Sequence, residues 1–152
     1  MKLSKKKSRP RWPQADETHF LNVDLDVLSR HPLEPLAKGF GRRVTELYVG
    51  REGKQFAAHF ELASSFRKDA DALIVAFVRL VRALSPAGRA AWAGAYRRDF
   101  NIGIQGGGKP YSFELTLKSE TLSLIRAVDA NLVVTVYAAD QAVSRGASAQ
   151  VL

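Results

Sequence analysis

The sequence predicts an α+β domain, with a mostly antiparallel sheet of about six strands and helices packed on one face. Several short segments alternate apolar and polar residues, which is typical of half-buried strands, and others repeat apolar residues at helical spacing. Strand segments outnumber helical ones and adjacent strands often form hairpins, so we expect antiparallel pairing. The predicted order is β-α-β-β-α-β-β-α-β.

The first half of the chain predicts three strands and one helix. Over His19–Leu28, apolar residues occupy every second position, which is the period of a strand with one buried face. Pro32 suits the first turn of a helix, and apolar residues then recur at helical spacing up to Gly41. Val44–Val49 and Gln55–Leu62 predict a hairpin around a turn that contains glycine.

The second half predicts helices that alternate with strands. Asp69 and Asp71 begin the longest helix, because acids favour the positive end of the helix dipole, and Ser85 can cap a further helical segment. The remaining predicted elements are strands over 100–105 and 112–117, a helix from Ser119 and a strand over 132–137. The predicted core comprises Leu21, Leu25, Phe56, Phe60, Leu73, Phe77, Ile102, Phe113, Leu115 and Val134.

The positive charge of the chain is concentrated at its start. The formal net charge is +8, and Lys2, Lys5, Lys6, Lys7, Arg9 and Arg11 all precede the first acid. Without these six cations the remaining chain carries only +2, which gives it no general affinity for polyanions. We expect residues 1–13 to form a disordered basic arm, residues 14–138 a single α+β domain and residues 139–152 a flexible C-terminal tail.

Composition excludes several classes of function. The chain has no cysteine, so it can have no disulfide framework, thiolate metal site or cysteine nucleophile. No apolar run is long enough to span a membrane, and no apolar stretch follows the N-terminal lysines as in a signal peptide. The three histidines lack the spacing of a metal site. We therefore expect a cytoplasmic protein with no membrane partner and no cofactor.

Two short matches to known motifs fail on their context. Gly103–Lys109 spells most of a phosphate-binding loop, but Pro110 stands where serine or threonine would bind magnesium, and a strand is predicted next instead of a helix. This segment is better interpreted as a flexible connection that binds no nucleotide. Lys38–Gly41 copies the first half of an RNA-recognition octapeptide, but the residues that follow lack the two aromatics of its second half. Phe40 is therefore a predicted core residue.

Besides the basic arm, which can bind a polyanion, the sheet face opposite the helices is a candidate site for a protein partner. It is predicted to be polar and to contain four carboxylates but no lysine or arginine, so it can dock a basic partner or simply be solvated. The candidate partner-binding residues are Asp24, Asp26, His59, Glu61, Asn101 and Glu114. His59 and Glu61 share this face, yet no nucleophile accompanies them, so we expect no catalytic residue.

The second half of the chain resembles a family of small uncharacterised bacterial α+β domains. The resemblance lies in the hairpin from Arg97, in Lys118–Leu122, which matches a helix start near SPETL, and in the closing strand that ends at Tyr137. Some of these proteins are thought to be immunity or accessory proteins of bacterial conflict systems. The resemblance therefore implies protein binding without catalysis.

Three hypotheses follow for the function. The first is a non-enzymatic protein-interaction module of the immunity or accessory type, with a protein partner on the sheet face or at a hairpin edge. The second is a nucleic-acid-associated protein that binds weakly and without sequence preference through residues 1–13. The third is a small enzyme. The sequence leaves the partner and the oligomeric state open.

Overall fold

The computed structural model describes residues 12–65 and 68–139, and these form one mixed sheet with helices on one face. The strands are β1 (His19–Ser29), β2 (Val44–Glu52), β3 (Gln55–Leu62), β4 (Arg97–Gln105) and β5 (Asn131–Tyr137). The helices are α1 (Glu34–Phe40), α2 (Ala70–Arg82), α3 (Pro86–Gly94) and α4 (Ser119–Ala127). A short 3₁₀ turn, Gly41–Arg43, joins α1 to β2. The α+β class is confirmed.

The sheet has the strand order β2-β3-β1-β4-β5. Three of its pairs are antiparallel, whereas β5 lies parallel to β4. The chain reaches β5 from β4 through α4, the type of crossover that joins parallel neighbours. The predicted pattern is therefore only partly right: the described sheet has five strands, and one of its pairs is parallel.

The sixth strand, predicted over 112–117, is wrong. This segment has no regular structure, although Leu115 and Leu117 pack partly buried against the core. Since β5 bonds to β4 over Asp99–Gln105, the edge on which a hairpin partner of β4 would lie is already occupied. Alternation alone does not show which of two later segments takes a free edge.

Helices α2 and α3 begin at side-chain caps that the sequence provides. The side chain of Asp69 accepts a hydrogen bond from the Ala72 N–H at 2.8 Å and caps α2. Ser85 caps α3 through the Gly88 N–H. All four helices bury residues in one core against the sheet, where the rings of Phe77 and Phe100 lie 5.9 Å apart.

The predicted core is correct at the centre of the sheet and wrong at its margins. Leu25, Phe60, Leu73, Phe77 and Ile102 are buried, and Phe56 and Leu115 are partly buried. Leu21, Phe113 and Val134 are instead exposed by 46%, 37% and 54%.

Each of these three errors has a structural reason. Leu21 lies at a bulge between Phe20 and Asn22, which breaks the alternation of β1. Phe113 belongs to the irregular segment before α4. Val134 lies on the helix side of β5, at the edge of the sheet, where the helices leave it exposed.

The glycine-rich connection is anchored to the residues that precede β1. The Gly107 N–H donates to Thr18 Oγ1 at 3.0 Å, the Gly108 N–H donates to the Asp16 carbonyl at 2.8 Å, and Lys109 Nζ lies 3.2 Å from Asp16 Oδ2. These contacts do not fit the predicted flexible connection. Among the described residues, the first helix after Lys109 is α4, which begins at Ser119, so the segment also lacks the adjoining helix that a phosphate-binding loop requires.

Residues 1–11 and 140–152, which include all six cations of the basic arm and most of the predicted tail, lie outside the described residues. Within the described part of the chain, none of the helices combines the length and the apolar character needed to cross a membrane.

Candidate docking surface on the open sheet face

The strand register brings most of the predicted site residues together. Asp24 pairs with Glu61 on β3 and with Asn101 on β4, and Asp26 pairs with His59. Paired residues in adjacent strands point to the same face. These five residues therefore lie side by side on the face opposite the helices, which we call the open face. The structure does not bring Glu114 there, because the segment over 112–117 is outside the sheet.

Asp99 also lies on the open face, although it was not among the predicted site residues. It pairs with Asp26, is only 3% exposed, and accepts a hydrogen bond from Asn131 Nδ2 at 2.8 Å. Arg97 forms an ion pair with Asp99 from the same face, so the prediction of a face without arginine is wrong. The signal was present, because Arg97, Asp99 and Asn101 continue one alternation, but β4 begins three residues earlier than expected.

A chain of hydrogen bonds crosses the open face from β3 to β5. His59 Nδ1 lies 2.7 Å from Asp26 Oδ1, and Asn101 Nδ2 donates to Asp26 Oδ2 at 3.3 Å. The Thr135 hydroxyl then donates to Asn101 Oδ1 at 2.8 Å. These bonds hold the polar side chains in fixed positions, so the surface is organised before any partner arrives.

Asp24 lies at the centre of this surface and is electrostatically strained. Its Oδ1 atom is buried and has no hydrogen-bond partner. Burial, followed by the negative charges of Glu61 and Asp26, raises the pKa of Asp24 to about 6, and the smaller effect of His59 lowers it. A cation placed above this carboxylate would relieve the repulsion.

His59 is enclosed by carboxylates on both sides of its ring. Its Nδ1 atom contacts Asp26, and its Nε2 atom lies 3.7 Å from Glu52 Oε1. A catalytic histidine instead needs one ring nitrogen directed at a nucleophile or substrate. Within the described residues, His59 therefore forms polar contacts that link neighbouring strands.

The described residues also contain no group of three or more histidine, aspartate or glutamate side chains that could hold a metal ion. A shallow cleft of about 310 Å³ lies at one margin, lined by Arg30, Glu52, Lys54, Gln55 and Tyr96. Its charged side chains have both signs, so it does not extend the acidic surface.

The net charge of the open face is negative. Its described carboxylates are Asp24, Asp26, Glu52, Glu61 and Asp99, and Arg97 is its one described lysine or arginine. The side chains of Asp26 and Glu52 are 25% and 47% exposed, so they remain accessible at the surface.

No family model, curated protein or solved structure matches the chain. The function is therefore inferred from the geometry and charge of the chain itself.

Proposed function

We propose that this protein is a non-enzymatic protein-interaction module, of the immunity or accessory type, whose open face binds a basic segment of a partner protein. The observation that carries this proposal is the row of carboxylates on a sheet face that none of the described helices covers. Partners with complementary charge gain both association rate and specificity from such a surface.

Two features of the site support a basic partner. The carboxylates outnumber the single arginine of the face, and that arginine is already paired with Asp99. Asp24 keeps a buried oxygen without a partner, so a lysine or arginine from outside would find an acceptor whose charge is poorly compensated.

The same contacts support binding in preference to catalysis. Both ring nitrogens of His59 face carboxylates, and neither is hydrogen-bonded to a hydroxyl group among the described residues. An acyl- or phosphoryl-transfer site would require a nucleophile beside a base, together with donors for the developing negative charge.

A titration monitored by NMR tests the proposal. The probe is a peptide that alternates lysine and threonine, so that its cations have the period of a strand. We expect amide shifts to concentrate at Asp24, His59 and Asn101, and binding to weaken as salt increases, because exposed charges are screened.

The specific variant is Glu52→Lys with Glu61→Lys, on the open face. Its matched control is Glu34→Lys with Glu120→Lys, which changes the net charge equally but on exposed residues of α1 and α4. The first pair should abolish the shifts and the second should leave them. Equal weakening by both pairs would show that the peptide responds only to net charge, and the proposal would fail.

The second candidate function is nucleic-acid association through the N-terminal arm. Its support is in the sequence, where six cations precede the first acid and two prolines disfavour a helix. Such an arm would bind phosphates without reading bases. Since the open face is acidic, it would repel the same nucleic acid.

A further inference from the structure

Strand β5 leaves one edge of the sheet unpaired. Within the described residues its neighbour in the sheet is β4, so the backbone N–H and C=O groups of its outer edge have no strand beside them. An unpaired edge of this kind is a template for another strand.

The side chains of β5 do not protect this edge. The segment Asn131–Tyr137 contains no charged residue and no proline, and its pairing with β4 is free of bulges. The opposite edge strand, β2, carries Glu46, Arg51 and Glu52 and has a bulge between Glu46 and Tyr48. Charges and bulges are the usual means by which proteins prevent edge pairing. Among the described strands the two edges of the sheet therefore differ, and the β5 edge is the one that its own residues leave unprotected.

The helix side of β5 is also uncovered. Leu132, Val134 and Val136 pair with Phe100, Ile102 and Ile104, so they continue the core face of the sheet outward. They are nevertheless 38%, 54% and 63% exposed. An apolar surface that continues directly from the core is typical of a protein interface.

We propose that a second copy of this chain occupies the β5 edge, with the two β5 strands antiparallel about a two-fold axis through Val134. Val134 is the midpoint of Asn131–Tyr137, so this register pairs every residue of the strand. Leu132 then lies opposite Val136, and Val133 opposite Thr135. Since β5 is uncharged, pairing with itself brings no like charges together, and a two-fold contact uses the same patch on both copies.

Sedimentation of the full chain over rising concentration tests the dimer. We expect twice the chain mass of 16.7 kDa, and a monomer after Val134→Lys, which places a charge on the axis. The matched control is Leu47→Lys on β2, since Leu47 is 49% exposed and Val134 54%. A dimer that persists in the Val134 variant, or is lost equally in the control, would overturn the proposal. So would a wild-type chain that stays monomeric.

Cysteine cross-linking checks the register and does not depend on how the lysine variants fold. The chain has no cysteine, so Val134→Cys introduces a single thiol that meets its own copy at about 5 Å between Cβ atoms. Leu132→Cys places the two thiols about 13 Å apart, four residues of strand rise, and should not cross-link. Equal cross-linking of both would contradict the register. If the full chain is monomeric while a chain ending at Ala139 dimerises, residues 140–152 occupy the edge and the proposal is wrong.

Discussion

At the scale of single residues, Asp24 links the open face to stability. Its pKa is raised to about 6 in the fold, above the ordinary aspartate value of 3.8, so the folded state holds its proton more tightly than the unfolded chain does. The charged carboxylate therefore costs stability at neutral pH, and this cost disappears as the pH falls from about 6 to below 3.8.

We predict that Asp24→Asn raises the free energy of unfolding at pH 7 by about 1 kcal/mol, a figure reduced for partial exposure. The gain should vanish near pH 3, where the wild-type carboxyl is protonated in the folded and the unfolded state alike. Urea denaturation of both proteins at the two pH values measures this difference. Glu114→Gln, at an exposed residue outside the sheet, is the control and should change neither value. A gain that is the same at both pH values would show that charge repulsion is not its cause.

Phe77 tests the core at the same scale. It is fully buried in α2 against Phe100, and we predict that Phe77→Ala lowers the free energy of unfolding by about 3–5 kcal/mol. Phe113→Ala is the control: because Phe113 is 37% exposed in an irregular segment, the loss should be less than half as large. Denaturation midpoints measure both losses of stability. Equal losses would contradict the placement of Phe77 in the core and of Phe113 outside it.

At the scale of elements, the glycine connection before Pro110 is a loop packed against the residues that precede β1. Its neighbouring glycines differ in the space available for a side chain. A Cβ atom on Gly107 would clash with the Asp16 carbonyl oxygen, whereas one on Gly108 would meet nothing within 4 Å. We predict that Gly107→Ala destabilises the fold by about 1–3 kcal/mol and that Gly108→Ala is nearly neutral. Thermal unfolding of the two variants checks this, and equal effects would show that the loop moves to make room.

The elements themselves were predictable because alternation and helical spacing are local properties. The partners of the strands were not, since they depend on which edge is free when two segments compete for it. Leu132–Tyr137 takes the edge of β4 after a crossover, and the segment over 112–117 is left outside the sheet. The alternation of residues also does not reveal the bulge at Leu21. One extra residue there changes the face to which every preceding residue of the strand points.

The candidate site, like the fold, could be predicted from the sequence only in part. Asp24 and Asp26 are two residues apart in β1, so they point to the same face of the sheet. His59 and Glu61 are related in the same way in β3, so a common face was predictable. Asp99 was missed because the predicted start of β4 lay beyond it. The raised pKa of Asp24 depends first on its burial and then on the charge of its cross-strand neighbour Glu61, and no local pattern supplies either.

At the scale of the whole molecule, the basic arm and the acidic face give the chain a strong asymmetry of charge. We predict that DNA binding requires residues 1–11, with a log–log salt slope near −4.5 if about five phosphates are neutralised. Fluorescence anisotropy with labelled duplex measures the slope. A chain that begins at Trp12 should unfold at the same denaturant concentration as the full chain but bind no DNA. Tight binding by the shortened chain would instead assign recognition to the folded domain.

The central position of β1 also constrains how the chain folds as it is synthesised. Of the described strands, β1 is made first. It pairs on one side with β3, which follows soon afterwards, and on the other with β4, which is made much later. Contacts between distant segments form slowly, because a long loop must close first. From the completion of β3 until Arg97–Gln105 has left the ribosome, the β4-facing side of β1 is an unpaired edge in the nascent chain. Aggregation during synthesis should therefore begin at this edge of β1, which the finished fold conceals.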